Sequence, residues 1–279
     1  MSEIVAGTLY VVATPIGNLG DLTPRAREVL AGVSAIGAED TRNTAVLLGQ
    51  FGIGTPLVAV HDHNEGDIAA KLVARLQAGD SLALVSDAGT PLVSDPGYRL
   101  VRAVREAGLP VVPVPGACAA IAALSVAGIP SDRFCFEGFL PVKGGARRER
   151  LGELLSETRT LVFYESSHRI EESLADLVAV FGPEREATLG RELTKRFETL
   201  LGPTLAAIQQ AVAADANQRK GEFVLVVRGS VDREAAQLAE GKRLYAKLAA
   251  HLKPSQAAKL AAELSGAPRK ALYVGGDAD

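Results

Sequence analysis

The sequence predicts an α/β protein, with two α/β domains followed by a small helical C-terminal tail. Three observations carry this. Short apolar, β-branched runs alternate with longer helical patterns up to about residue 230. Gly and Pro punctuate the ends of those runs. From residue 235 the strand signal stops and Ala, Lys and Glu dominate. The 279 residues also favour two domains, at about 150 residues each.

In the first half, Thr8–Ala13, Leu57–Val60, Ser81–Ser86 and Pro110–Val114 read as strands. Arg25–Leu30, Ile68–Gln77 and Tyr98–Glu106 read as the helices between them. Thr23-Pro24 and Asp95-Pro96 have the form of an N-cap followed by Pro at the first helical position. Gly79 and Gly108 serve as helix stops. Alternating βα units require a largely parallel sheet with helices on its faces. Pro113–Gly116 reads as a hinge, which sets the domains at 1–114 and 115–230.

In the second half, Phe134–Phe139, Thr160–Tyr164, Ala187–Arg191 and Phe223–Arg228 read as strands. Ala119–Val126, Arg169–Phe181 and Leu205–Ala213 read as helices, and Gly182-Pro183 stops the second of them. Residues 235–279 form the tail, in which Ser255–Tyr273 resembles a helix-turn-helix with Gly266 at the turn.

Composition narrows the function. Apolar residues are 47% and charged residues 23%, values of a folded globular chain rather than a disordered one. No apolar run approaches the ~20 residues that span a bilayer. No basic region precedes an apolar core at the N-terminus, so neither membrane nor secretion is expected. Cys118 and Cys135 lie in apolar contexts and read as two thiols in a reducing cytoplasm. With no Trp, 5 Tyr and 8 Phe, a broad stacking platform for single-stranded bases is disfavoured. The net charge of −3 hides an asymmetry: Lys242–Tyr273 carries +6 and the remainder −9. A basic tail on an acidic body suits a polyanionic partner.

Four segments, a group of three charged clusters and a basic loop concentrate chemistry. The turn Thr14-Pro-Ile-Gly-Asn-Leu-Gly-Asp21 joins a strand to a helix, where backbone amides can meet a ligand. It is neither a dinucleotide fingerprint nor a Walker loop. Ser86-Asp-Ala-Gly-Thr-Pro-Leu-Val-Ser-Asp-Pro-Gly97 follows a buried-looking strand and is far more elaborate than a connection needs. Gly37-Ala-Glu-Asp-Thr-Arg-Asn-Thr44 ends a strand-like run and brings Glu39, Asp40 and a hydroxyl beside Arg42, or else Asp40 or Thr41 simply caps a helix. His61-Asp-His-Asn-Glu65 places two imidazoles at metal-ligand spacing, but polar contacts to substrate or backbone fit better than a metal, and no metal is expected. The last group is Phe163–Arg169, Arg191–Glu198 and Lys220–Glu222, three charged clusters at strand ends that share one side if the strands are parallel. Lys143-Gly-Gly-Ala-Arg-Arg-Glu-Arg150 reads as a basic loop able to grip phosphates.

Taken together, these motifs resemble the ribosomal RNA small-subunit methyltransferase I family of the tetrapyrrole-methylase superfamily, class III S-adenosylmethionine (SAM) enzymes. The resemblance runs in register from about residue 7 to 230. It implies SAM folded in a cleft between two α/β domains, a homodimer, and 16S rRNA or the small ribosomal subunit as partner, with no DNA. It implies methylation of the ribose 2′-hydroxyl of a cytidine in the decoding centre. Carried onto this sequence, Pro15, Ile16 and Gly17, then Ser86, Asp87, Ala88, Gly89 and Pro91, then Pro115, Gly116, Cys118 and Ala119 would hold SAM, largely through backbone groups. Tyr164, Leu193 and Gly221 would complete the pocket from the second domain. Ala117 departs from the Pro expected in its turn, and Val274-Gly-Gly breaks the last helix early.

A ribose hydroxyl is a weak nucleophile, so its attack calls for a base or a cation beside the developing alkoxide. Glu39 or Asp40 is expected to orient or deprotonate it, and Arg42 or Lys195 to stabilise charge. His61 and His63 are rival bases. His63, Asn64, Lys143, Arg147, Arg148, Arg169 and Arg191 are the candidate substrate contacts. The competing readings are a small-molecule tetrapyrrole methylase on the same fold and a non-enzymatic RNA-binding assembly factor.

Overall fold

The computed structural model describes residues 4–61, 65–231 and 233–272. The chain divides into two units. The first runs to Ala122 and takes in Glu192–Glu198; the second holds Ala123–Arg191 and the chain from Thr199 onward. The division therefore falls inside a helix, beyond the hinge expected at Pro113–Gly116. The turn after Pro115 is bonded into the first unit, as described below.

The first unit is a five-stranded parallel sheet in the order β3-β2-β4-β1-β5, made of β1 (Leu9–Val12), β2 (Ala35–Ala38), β3 (Leu57–Ala59), β4 (Leu82–Val85) and β5 (Val111–Val114). All four residues of β2 and of β4 are buried, the mark of strands covered on both faces. Period-2 alternation sorts the core. Tyr10, Val12, Ala83 and Val85 pack under α1 (Pro24–Gly32) and α2 (Thr41–Gln50). Leu9, Leu82 and Leu84 face α3 (Glu65–Gln77) and α4 (Tyr98–Glu106). From β1 the chain winds one way to β2, and from β4 the other way to β5. The point where winding reverses lies at β1 and β4, and open parallel sheets bind ligands beyond the carboxyl ends of strands there.

Two caps show where local signals hold and where they fail. Thr23 caps α1 as expected, its Oγ1 accepting from Ala26 N at 3.1 Å. Asp95 does not cap α4. The cap residue is Gly97, without a side-chain bond, and Glu65 reaches over from α3 to accept Leu100 N at 3.0 Å. Glu65 is buried and committed to this helix start. Among the described residues no group of three His, Cys, Asp or Glu could hold a metal ion.

The second unit has the order β6-β7-β10-β8-β9: β6 (Phe134–Phe139), β7 (Thr160–Ser166), β8 (Ala187–Arg191), β9 (Thr199–Leu201) and β10 (Glu222–Val227). Only β6 and β7 are parallel; the other pairs are antiparallel. One face is covered by α6 (Gly144–Leu154), α7 (Ile170–Phe181) and α8 (Leu205–Ala214), with Phe163, Leu174, Leu189 and Leu225 in the core. The helix α5 (Ala119–Val126) carries the division between the units.

The tail comprises α9 (Arg233–Ala249), α10 (Pro254–Ser265) and α11 (Arg269–Leu272). Gly266 ends α10 at φ +75, where its N–H bonds Ala262 O, so the expected turn is present. Gly241 lets α9 meet that turn closely: an added Cβ would stand 2.8 Å from Ala267 Cβ. Cys118 and Cys135 are free and half-buried rather than fully buried.

Candidate active site

Three loops meet beyond the carboxyl ends of β1, β4 and β5. Thr14 N donates to Gly89 O at 2.8 Å and Gly89 N to Thr14 O at 3.1 Å, an isolated antiparallel bridge between two loops. Thr90 Oγ1 donates to Ala117 O at 2.9 Å, tying in the third. Glycine is required at the meeting point. Gly89 has φ +81, and a Cβ there would stand 3.3 Å from Ile16; one at Gly116 would stand 3.0 Å from Ala13 Cβ. Pro15–Gly17, Ser86–Pro91 and Pro115–Ala119 thus form one cradle lined by backbone and small side chains.

A fourth segment joins them. The 192–198 loop, which sequence reasoning gave to the second half, belongs to the first unit. Leu193 is accordingly a buried first-unit residue rather than a second-domain contribution. Lys195 lies over Gly17: an added Cβ would come 2.6 Å from its Cε, 2.9 Å from its Cδ and closer still to its Cγ. Its Nζ pairs with Glu192 Oε1 at 2.9 Å. All four described non-glycine residues with left-handed backbone fall in the 192–198 loop or in the 86–97 segment that continues from the cradle: Leu92, Ser94, Glu192 and Thr194. Such strain persists only where surrounding structure enforces it, and it clusters at functional sites.

The acidic groups differ in character. Asp40 caps α2 and holds Arg42 twice, with Nε to Oδ1 at 3.0 Å and Nη2 to Oδ2 at 2.6 Å. The Arg42 side-chain bonds, then its backbone N–H, hold the Asp40 carboxyl down at about 2. Both carboxylate oxygens of Asp40 are thus engaged by Arg42, whose guanidinium they orient. The Arg42 side chain is 88% exposed, and two of its five N–H donors are engaged by Asp40. Asp95 is the residue that sequence reasoning misjudged. Read as a helix cap, it is instead half-buried, and burial pushes it up to about 6, with Glu39 and Asp87 adding repulsion and the Ser86 hydroxyl opposing. Only the clustering of acids around one loop hinted at this. His61 stands half-buried past β3 and accepts Glu65 N at its carbonyl. His63 and Asn64 lie outside the described residues.

In the second unit Glu165–Ser166, Arg191 and Glu222 do stand at one end of the sheet, by a different route than parallel strands, while the rest of the Arg191–Glu198 cluster belongs to the first unit. β10 runs antiparallel to β7 and β8, so its beginning stands beside their ends: Glu222 pairs with Ser166, and Phe223 with Glu165 and Arg191. Glu165 is buried and accepts from Ser173 Oγ at 2.6 Å and Arg169 Nε at 2.9 Å. Arg169 also donates to Leu140 O at 3.0 Å. Arg191 is buried and donates to Lys220 O at 2.7 Å, fixing the turn at Gly221, φ +101. Both arginines are built into the unit's framework. Tyr164 packs edge-on against Phe136 and Phe139, with ring centroids 4.9 and 5.7 Å away.

The segment predicted as a basic loop is largely helical. Residues from Gly144 form α6, and Arg147 turns inward: it is 3% exposed and bonds Asp176 at 2.7 Å and Glu172 at 3.3 Å. A buried guanidinium with two carboxylates is structural and does not grip phosphates. Lys143 and Arg148 remain exposed.

Comparison with known proteins matches this architecture. A family model described as Tetrapyrrole (Corrin/Porphyrin) Methylases matches residues 8–209, and one described as RsmI C-terminal HTH domain matches 235–274. The Xylella fastidiosa protein named ribosomal RNA small subunit methyltransferase I is 63% identical, over 96% of this chain and 98% of its own. Its namesake in Escherichia coli O157:H7 is 55% identical, over 96% and 93%. This chain belongs to the ribosomal RNA small subunit methyltransferase I family. The family's enzymes are SAM-dependent methyltransferases. Among solved structures, the methyltransferase CobJ superposes with a TM-score of 0.60 at 21% identity, over 80% of this chain and 95% of its own. The uroporphyrin-III C-methyltransferase of Thermus thermophilus, complexed with S-adenyl homocysteine, gives 0.53 at 20%, over 78% and 96%. These two likenesses concern the fold. The methyltransferase I family adds the helical tail, which its own model matches.

Proposed function

We propose that this protein transfers a methyl group from SAM to the ribose 2′-hydroxyl of a cytidine in the decoding centre of 16S rRNA. The observation that carries the reading is the four-segment cradle at the winding reversal of the first sheet, with Arg42 held at its edge. Near full-length similarity to named rRNA small-subunit methyltransferases supports the substrate class.

The residues present suit SAM. Gly89 and Gly116 leave backbone, rather than side chains, along the cradle. The carboxyl groups of Glu39 and Asp95 suit a sulfonium cation. Pro15–Gly17, Ser86–Pro91, Pro115–Ala119 and Leu193 would hold it. When bound, SAM supplies a methyl carbon activated by the positive sulfur, so no metal is needed.

The chain's own residues then have two tasks. One is position, which supplies much of the acceleration in a displacement between two held groups. The other is charge: Arg42, oriented by Asp40, presents free donors to a developing alkoxide, and Lys195 adds a second cation over Gly17. Lys143, Arg148 and the tail lysines would meet RNA phosphates. Homodimerisation and a cytoplasmic site of action belong to the same proposal.

Small ribosomal subunits from cells lacking this protein, incubated with methyl-labelled SAM, test the reading. Label on a cytidine ribose is expected. No label, with SAM bound and subunits shown to be unmodified, would overturn it and favour a small-molecule substrate.

A further inference from the structure

We propose that Asp87 and Asn43 form a latch that fixes the start of α2 to the loop after β4, making both positioning residues for methyl transfer. The inference rests on the role given above to Arg42. Asp87 was expected among the SAM contacts, yet both of its carboxylate oxygens are turned to α2. Oδ1 accepts the Asp40 N–H at 3.1 Å, and Oδ2 accepts Asn43 Nδ2 at 2.8 Å.

The two bonds grip the helix at separate points. The Asp40 N–H precedes the first turn, and Asn43 stands within it. Helix starts leave N–H groups without intrahelical partners, so an acceptor held from outside fixes both the position and the angle of entry. Asp40 then accepts Arg42 N at 2.8 Å and holds the guanidinium through both oxygens. A continuous relay therefore runs from the cradle loop through Asp87 and Asp40 to Arg42. Every member lies in the first unit. The negative carboxylate of Asp87 also sits at the positive end of α2, which favours the arrangement. Asp87 is joined at its other flank to Ser86 and Ala88–Gly89, and Gly89 is bridged to Thr14. A shift of the latch would move Arg42 relative to the cradle without removing any part of the cradle.

The chemistry allows an exchange of roles. In Asp87→Asn the new amide still offers an oxygen to Asp40 N–H, but the charge-assisted bond to Asn43 is lost, and only a weaker neutral amide–amide bond can replace it, once the Asn43 amide turns over. In Asn43→Asp two carboxylates face one another. The double variant Asp87→Asn with Asn43→Asp reverses the donor and acceptor and restores both bonds.

The full-length protein and these three variants are compared in three assays. Transfer to small subunits at saturating SAM gives kcat. Calorimetric titration gives SAM affinity. Amide exchange at residues 40–43 of the cofactor-free protein reads the helix start independently of activity. Each single variant should lose about tenfold in kcat, consistent with one charge-assisted bond at an exposed site, with SAM affinity within about threefold of wild type. Exchange at 40–43 should accelerate about tenfold in the singles. The double variant should recover both readouts to within about threefold. A double variant no better than the singles, or singles that lose SAM affinity while keeping kcat, would overturn the latch. If the wild type transfers no methyl to small subunits, the proposed reaction fails, and the exchange data still decide the latch.

Discussion

Gly17→Ala is a sharp perturbation of the cradle. A Cβ there would lie 2.6 Å from Lys195 Cε and 2.9 Å from Cδ, where ordinary carbon contacts need about 3.5–4.0 Å. The lysine stem must leave, and its pair with Glu192 goes with it. That pair is partly exposed, 27% and 18%, so its loss costs below about 1 kcal/mol. Gly17 also sits at φ +150, and an alanine there adds about 1–2 kcal/mol of backbone strain. The sum is about 2 kcal/mol of stability, and moving Lys195 from a developing alkoxide should lower kcat about tenfold or more. The assay is a double-mutant cycle with Lys195→Ala, read by denaturant melts and by single-turnover methyl transfer. In the Lys195→Ala background only the backbone strain remains, and Gly17→Ala should scarcely lower kcat further. Equal, independent losses in both backgrounds would refute the claim that Gly17 is the seat of Lys195.

Three further outcomes follow from the structure. Asp176→Ala should destabilise the second unit by about 3 kcal/mol, because it leaves buried Arg147 with only the exposed Glu172 and the Val142 carbonyl, while Arg148→Ala, removing the exposed partner, should cost below about 1 kcal/mol; denaturant melts of both variants check the contrast. Asp95→Asn should stabilise the fold at pH 7.5 but not at pH 4. Its carboxyl moves from 3.8 to about 6 on folding, so the native state is penalised progressively between those values and fully above them; the full shift is worth about 3 kcal/mol, and partial exposure screens it to about 1 kcal/mol, read as the difference in melts at the two pH values. Lys143→Glu with Arg148→Glu should weaken RNA binding and flatten its salt dependence by about two phosphate contacts, measured as the slope of log affinity on log salt, and leave SAM affinity unchanged.

The first sheet was largely legible because β1 and β4 are mostly buried and read as unbroken apolar runs, and because Gly and Pro end its helices. The bounds of α4, Tyr98–Glu106, match the sequence reading. Its cap does not, since Asp95-Pro96 has the local form of a cap while the acceptor is Glu65, far away in the chain. No short-range rule contains that information. β2 was seen only as a strand-like run, being four residues with a glycine among them, and α2 only as a possible cap, although Asp40 does cap it. α6 was read as a loop because Gly144-Gly145 and four arginine or acidic neighbours suggest solvent. It folds as a helix because Leu151 and Leu154 meet the core and Arg147 finds Asp176. The cradle loops were found through their residues, whereas the bonds that join them, and the return of 192–198 to the first unit, come from tertiary packing.

The measurement that reaches the central claim most directly is mass-spectrometric mapping of ribose methylation in 16S rRNA from cells with and without this protein, and from cells carrying only the Arg42→Ala form. Loss of one 2′-O-methylcytidine from the decoding centre in the absence of the protein, restored by the wild-type chain and poorly restored by Arg42→Ala, is the predicted result. An unchanged methylation map in cells without the protein would contradict it.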